Sequence, residues 1–371
     1  MAVTLQRRAP AQQPGLPITG PGNGDIAISG LRFRFAPPRP GYGGSSFNPQ
    51  QTYRSSRWGQ ITRTEQPALL GVRMNNTAAT KVIVTVAPTG GMASKQQNPN
   101  LPTQPDEIAQ SVLLSYKEGA AIAALHARRP DDEATCNPDI YRDINQQIRQ
   151  KCDIIINNST GGGSNGDMLI ARDDGLFESN FDERLRGCDA GAEMATFDGM
   201  TFVDVHGGRE IIVTTTPSRC ETLVKRMVEK GIKPEWEVFS PTHILQDVTR
   251  LIQKGYDKPP YYINMVLGAD KGFQGAMPYS HDILSAMIAA LPPQSIFCVS
   301  AIGPAQLPAT TQAILLGGHV RVGLEDNNYY SRGKLATNEQ LVARTVRIIH
   351  ELGLEHASAS EARDMLGLAQ R

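Results

Sequence analysis

Two short stretches carry the side chains that could do chemistry. In Gly317-Gly-His-Val-Arg-Val-Gly-Leu-Glu-Asp-Asn327, a β-type run, His319–Val322, stops at Gly323, with Arg321, Glu325 and Asp326 gathered at its C-terminal end. Burying such charges unpaired inside a strand is costly. A cation and two carboxylates at a strand end can pair with each other, hold a metal, or move a proton. In Ala123-Ala-Leu-His-Ala-Arg-Arg129 a second apolar run ends in His126. His126 and Glu325 together offer one nitrogen and one oxygen of the kind Zn²⁺ takes, which is too few for a site by themselves. Arg321 and Asp326 can form a bidentate pair, either as a structural tie or as a base whose proton affinity the guanidinium sets. Asn157-Asn-Ser-Thr-Gly-Gly-Gly-Ser164 follows another apolar run, and its glycines and hydroxyls can expose backbone N–H groups to an anion or simply form a flexible loop. It is not a Walker A loop, because no Lys-Ser/Thr follows the glycines. Thr85-Val-Ala-Pro-Thr-Gly-Gly-Met92 closes a run in similar style. Glu235 and Glu237 flank another, with one expected at the site and the other capping the barrel. His206, His243 and His281 stand alone and read as surface or structural residues.

These groups need a scaffold that brings them together. From Lys81 onward, apolar runs of strand length alternate with helical stretches. The runs are Val82–Val86, Ala121–Leu125, Asp153–Asn157, Glu193–Phe197, Glu235–Phe239, Tyr262–Leu267, Ile296–Ala301 and His319–Val322. Between them lie expected helices at Pro105–Glu118, Pro138–Gln150, Glu178–Leu185, Pro217–Lys230, Pro241–Lys254, Ser280–Ala290, Ala305–Leu315 and Asn338–Leu352. Several open with proline in the first turn, as helices often do. Eight such alternations predict an α/β fold, a (β/α)8 TIM barrel over residues 80–371, with a doubly wound sheet as the alternative. In a barrel the loops after the strands share one face, so His126, Ser159, Glu237, Arg321, Glu325 and Asp326 would meet there. Residues 1–79 are rich in Pro, Gly, Ser, Asn and Gln and read as a long irregular N-terminal extension.

Bulk properties narrow the functional classes. Lys+Arg and Asp+Glu are both 37, so the formal net charge is zero. Nothing there supports binding nucleic acid or a membrane surface by bulk electrostatics. The five cysteines are scattered and form no C-x-x-C, which suits reduced thiols in a cytoplasmic setting. No apolar run reaches the roughly 18–20 residues of a membrane span, and the first residues lack the apolar core of a secretory signal.

Taken together, the segments resemble the β-keto acid cleavage enzyme family, which includes 3-keto-5-aminohexanoate cleavage enzyme. The resemblance covers roughly residues 81–368. It rests on the Val-Ala-x-Thr-Gly stretch of the first strand, Pro102-Thr-x-Pro-Asp-Glu-Ile-Ala109, Leu125-His-Ala-Arg128, Ser159-Thr-Gly-Gly162 and Pro234-Glu-Trp-Glu-Val-Phe239. It continues in Gly318–Asn327, Asn338 and Glu361-Ala-Arg-Asp-Met-Leu-Gly-Leu368. It implies a TIM barrel assembled as a homotetramer. It also implies an acyltransferase that turns a β-keto acid and acetyl-CoA into acetoacetate and a new acyl-CoA. A divalent metal, typically Zn²⁺, would be held by a His-x-His pair and the Glu of Gly-Leu-Glu-Asp-Asn. Carried over residue by residue, His126 and Glu325 are metal ligands and Arg321 with Asp326 a carbanion-generating dyad. Glu237 is a further active-site acid, and Ser159, Thr160, Gly161 and Met92 lie at the substrate. Two positions depart from the pattern. Ala124 stands where the first His of the pair is expected. Met92 stands where some members carry a Glu that pairs with an amino-bearing substrate. Ala124 leaves open aldolase-like or hydrolytic chemistry on a rebuilt metal site, or an inactive barrel used for binding or assembly.

Overall fold

The computed structural model describes residues 81–371; the N-terminal extension read at 1–79 lies outside the described residues. Eight parallel strands form the barrel: β1 (Val84–Val86), β2 (Ile122–Leu125), β3 (Ile155–Asn158), β4 (Met194–Asp198), β5 (Lys233–Val238), β6 (Tyr261–Leu267), β7 (Ser295–Ala301) and β8 (His319–Val322). Each pairs with its neighbours in sequence, and β8 pairs with β1 to close the ring. The TIM-barrel expectation is met.

Period-2 alternation gives every strand two faces. One face is apolar: Val84, Val86, Ala123, Leu125, Ile156, Phe197, Trp236, Val238, Ile263, Met265, Val320 and Val322 all join the layer packed beneath the surrounding helices. The inward face is different. At the mouth end of the ring the register partners Arg321 and Thr85, Thr196 and Glu235, and Glu237 and Asn264 are all buried and polar, and Asn157 is a buried polar residue whose partner, Ala124, is the exception. Barrels of this type are ordinarily filled with branched aliphatic side chains, so this interior is built to hold charge. Sequences such as Glu235-Trp-Glu-Val238 and His319-Val-Arg-Val322 are this two-faced pattern written out.

The helices start with recognisable caps. Helix α1 (Pro105–Lys117) opens with a Gln104/Glu107 capping box and proline in its first turn, and α2 (Pro138–Arg149) with the Asn137 side chain accepting from Asp139 N–H. The expected helix at Glu178–Leu185 is shorter. Glu178 belongs to the strand Phe177–Ser179, and α3 (Phe181–Arg186) begins only after Asn180, whose side chain accepts from Glu183 N–H. That strand joins Leu169–Ala171, Phe202–His206 and Arg209–Val213 in a separate four-stranded sheet inserted around α3, which the sequence reading does not contain. Helix α4 (Pro217–Glu229) follows β4. The stretch after β5 enters through a π-helical segment, His243–Val248, before α5 (Thr249–Gln253). Then come α6 (His281–Ala289), α7 (Gln306–Leu315) and α8 (Asn338–Glu351). A last helix, α9 (Ala359–Leu366), closes the N-terminal end of the barrel, its Ala362 and Leu366 packing with Ile83, Ile122, Ile155, Met194 and Tyr262. No helix among the described residues is long and apolar enough to cross a membrane.

His319, at the start of β8, is buried, and its Nδ1 accepts from the Ile83 N–H at 3.1 Å. Burial pushes its pKa down from 6.5 to about 4. The unfolded chain therefore takes up this proton below about pH 6.5, and the folded chain only near pH 4. The stability His319 contributes is complete above the upper value and is lost as pH falls towards the lower one, on the order of 3 kcal/mol in all. His319→Asn retains an acceptor for Ile83. It is expected to flatten the fall in urea midpoint between pH 7 and pH 5; an unchanged fall would remove His319 as its source.

Candidate active site

Arg321 lies at the centre of the barrel mouth, 4% exposed. Its Nε and Nη2 donate to the two carboxylate oxygens of Asp326 at 3.0 and 2.8 Å. Nη1 donates to Glu237 Oε1 at 2.8 Å, and Nη2 also to Glu325 Oε1 at 2.5 Å. One planar cation thus satisfies three carboxylates, a task for the guanidinium fork rather than an ammonium. The dyad residues and both strand-end acids of the sequence reading therefore meet.

The turn that delivers Glu325 and Asp326 depends on Gly323. Its φ is +150°, and a Cβ there would lie 2.1 Å from the Ala87 carbonyl oxygen. That same carbonyl accepts from the Glu325 N–H at 3.2 Å. The turn is thereby pressed onto the end of β1. Asn338, at the start of α8, fastens it from outside by accepting from Leu324 N–H at 2.9 Å and donating to Pro88 O at 3.1 Å. Gly323→Ala is expected to cost about 1–3 kcal/mol and most of the activity, because both carboxylates ride on the displaced turn. Thermal melts with turnover rates check it, and a variant with parental values in both would refute the role of this contact.

His126 stands opposite Glu325. Its Nε2 is 3.3 Å from Glu325 Oε1, and its Nδ1 is 2.8 Å from the Gly162 carbonyl. A carbonyl only accepts, so Nδ1 carries the proton and Nε2 directs its lone pair at the carboxylate whenever the ring is neutral. That is the tautomer a metal-ligating histidine adopts. Glu325 Oε2 is buried without a protein partner. Burial pushes Glu325 up, but the Arg321 charge outweighs it, with a further contribution from His126 when its ring is protonated, and holds the carboxyl at about 2. Asp326 and Glu237 are moved the other way by burial, despite the attraction of Arg321. His126 and Glu325 thus fit two donor positions of a divalent cation. A third is lacking, because Ala124 faces inward on β2 with no donor, and among the described residues no three His, Cys, Asp or Glu side chains converge on one metal position.

The glycine-rich loop after β3 builds one wall. Ser159 Oγ accepts from the N–H groups of Gly161 and Gly162 at 3.1 and 3.3 Å, which leaves its own proton to donate. Thr160 is committed to β4: its N–H donates to Thr196 Oγ1 and its hydroxyl to Thr196 O. Gly161 lies against Asp198, where a Cβ would come within 2.5 Å of Oδ2. Met92, half-buried, extends from Gly90 and Gly91, which pack on Glu325 and on Gly162–Gly163 respectively.

Several participants were missed or misjudged from the sequence. Glu235 does not merely cap the barrel. It is fully buried, accepts from the Asn157 amide, and is raised to about 7 by burial. Asp198, at the end of β4, lies beside Glu237 and raises its pKa further. Arg128 is buried and donates to the carbonyls of Gly90, Ala93 and Asp132, clamping the loop that bears Met92. His243 accepts from the Phe239 N–H at 3.1 Å, is held neutral by burial with a pKa of about 4, and feels the charge of Asp198. That is a structural role, as expected for it, within reach of the charge of Asp198.

The sequence profile described as beta-keto acid cleavage enzyme matches residues 81–368. A 3-keto-5-aminohexanoate cleavage enzyme of Acetoanaerobium sticklandii is 36% identical over 292 residues, 78% of this chain and 99% of its own length. A 3-dehydrocarnitine:acetyl-CoA trimethylamine transferase of Rhizobium meliloti is 31% identical over 306 residues, 78% of this chain and 98% of its own. Among solved structures, apo ObcA shares the fold with a TM-score of 0.56 at 20% identity, over 73% of this chain and 66% of that one.

Proposed function

The chain belongs to the beta-keto acid cleavage enzyme family, and we propose that it exchanges acyl groups between a β-keto acid and acetyl-CoA at the Arg321 cluster. The observation that carries this reading is the division of neighbouring carboxyls around one guanidinium. Glu325 is held ionised at about 2, chiefly by Arg321, while Asp326 is pushed upward by burial. Such a split separates a permanent anion from a group able to take and return a proton.

The reaction balances with Asp326 as the only proton carrier. Asp326 removes a proton from the methylene between the ketone and carboxylate of the substrate, and Arg321 stabilises its carboxylate before and after. The carbanion attacks the thioester carbonyl of acetyl-CoA, forming a C–C bond and expelling the CoA thiolate. The thiolate then attacks the original ketone carbon. The bond between that carbon and the methylene breaks, so the acyl group leaves on CoA and the remainder is acetoacetate, which takes its proton back from Asp326. Ser159 has a free O–H for the substrate carboxylate. Zinc held by His126 and Glu325 would supply a Lewis acid for the ketone oxygen. Met92 supports a substrate whose acyl group bears no ammonium, since a thioether offers such a charge no partner.

The test is mass-spectrometric detection of a new acyl-CoA after incubation with acetyl-CoA and a panel of neutral, acidic and amino β-keto acids, alongside metal analysis of the purified protein. The reading expects a new thioester from a keto acid without an amino group and bound divalent metal. Failure with every keto acid after zinc loading would reject it, and hydrolysis of the keto acid instead would favour the rebuilt-site alternative.

A further inference from the structure

The turn that carries Glu325 and Asp326 runs into a β-hairpin, Tyr329–Ser331 paired with Lys334–Leu335. The base of the hairpin is fixed. Asn327 donates to Tyr329 O at 2.8 Å and accepts from Tyr329 N–H at 3.1 Å. The Asn98 amide, from the stretch after β1, donates to Asn328 O and Ala336 O at 3.1 and 3.0 Å. The hairpin lies against α8, and three cations gather around one of its rings. Arg344 Cζ stands 4.6 Å and Lys334 Nζ 5.3 Å from the centroid of Tyr330, and Arg347 Nη2 donates to its hydroxyl at 3.1 Å. Among the described residues none of the three pairs with a carboxylate. Arg344 Nε is buried with no partner among those residues, and burial and the charge of Arg347 both disfavour its cation. Like charges held together without a counter-charge repel one another and gain when an anion joins them. Tyr330, Lys334, Gln340, Ala343 and Arg347 line a cavity of about 220 Å³. Pockets for drug-sized ligands begin at roughly 300 Å³, so this one suits phosphoryl groups rather than a whole nucleotide.

We propose that this cavity binds phosphates of the nucleotide end of acetyl-CoA, with Lys334 and Arg347 as their partners. The proposal rests on the acyl-exchange reading above, which requires that cosubstrate. Arginine recruits phosphate through its fork and lysine as a point charge. Both side chains are exposed at the cavity, so a ligand reaches them without any rearrangement of the fold. TIM barrels frequently hold phosphate with the loops that follow their last two strands, and this hairpin follows β8. The reach fits as well. Asp326 and Tyr330 are four residues apart, a separation of at most about 14 Å. The pantetheine arm of CoA can bridge that distance while its thioester lies at Arg321. An acyl thioester without the phosphates would forgo the contact.

The experiment uses three full-length proteins: the parent, a double variant with Lys334→Gln and Arg347→Gln, and a control with Lys117→Gln and Lys151→Gln. The control loses the same charge near the C-terminal ends of α1 and α2, at the opposite end of the barrel. Calorimetric titration with adenosine 3′,5′-bisphosphate reads the cavity without turnover. The parent is expected to bind it, and the Lys334/Arg347 variant to bind it at least about 10-fold more weakly, the size of one hydrogen bond to a charged group. The control is expected to bind like the parent. In turnover, the Lys334/Arg347 variant is expected to raise KM for acetyl-CoA by a similar factor, and not KM for S-acetyl-pantetheine, which carries no phosphate. A merely structural role would impair both thioesters alike. No binding of the bisphosphate by the parent, equal affinity in parent and variant, or a KM loss shared by both thioesters would overturn the proposal. A change of oligomeric state in the variant by light scattering, with bisphosphate affinity intact, would assign the cations to contacts between copies instead. The cavity and the acyl exchange fail separately. Bisphosphate binding that the variant loses, with no acyl-CoA formed by the parent from any keto acid, would uphold the cavity and reject the exchange. Acyl exchange with a parental KM for acetyl-CoA in the variant would reject the cavity alone.

Discussion

Arg321→Met is expected to destabilise the protein by about 3–5 kcal/mol and to abolish turnover. The loss exceeds that of a single ion pair because the guanidinium is shared. Glu237, Glu325 and Asp326 all accept from it within 3.0 Å, and Glu237 and Asp326 are less than a tenth exposed. Removing it leaves three carboxyls facing one another in a region where water cannot easily compensate. At least one must then take up a proton on folding, so the variant should regain stability as pH is lowered from neutrality, opposite in sign to the His319 effect. Arg321→Lys preserves the charge but not the fork, and is expected to fall between parent and Arg321→Met. Urea denaturation at neutral and mildly acidic pH measures both. An Arg321→Met protein as stable as the parent would mean that the carboxyls are solvated and that the mouth is open to bulk water.

The second large effect is on rate. Asp326→Asn is expected to lower kcat by about 10²–10⁴, the usual contribution of a positioned acid–base group. Asp326 receives both guanidinium N–H groups of Arg321 on its syn edge, and its backbone carbonyl accepts from Gly303 N–H at 2.7 Å. The carboxyl is therefore fixed in place, and the substitution changes proton affinity more than position. The diagnostic readout is exchange of the substrate methylene protons with deuterated solvent in the absence of acetyl-CoA. Enzyme-dependent exchange should vanish in Asp326→Asn and persist in a variant damaged only in CoA binding. Persistence of exchange in Asp326→Asn would pass the base role to another carboxyl, Glu237 being the nearest candidate across Arg321.

Much of this site was legible because the barrel converts sequence position into spatial position. Once His126, Ser159, Glu237 and Arg321 are each assigned to a strand end, their convergence follows from topology alone. Thus the Arg321–Asp326 fork and the approach of His126 to Glu325 were both expected from residue type and spacing. The interior was harder. Strands buried on both faces read as continuous runs, and nothing in Ile155-Ile-Asn-Asn158 says which asparagine looks inward. Glu235 was misjudged for the same reason: period 2 places it on the same face as Glu237, but its partner Asn157 lies 78 residues earlier. Arg128 and Asp198 act through contacts with loops that only the fold brings near. The inserted sheet escaped because its strands are three to five residues long and carry no sustained alternation. Helix α9 did leave a signal, the Ser358/Glu361 capping box and the left-handed Gly367 that ends it.

The most direct test of the central claim follows the carbon atoms. With acetyl-CoA carrying ¹³C at both acetyl carbons and an unlabelled β-keto acid, the exchange predicts acetoacetate with both labels and a new acyl-CoA with none, each formed in equal amount. Label retained in the thioester pool with no doubly labelled acetoacetate, in protein loaded with zinc, would contradict acyl exchange at the Arg321 cluster.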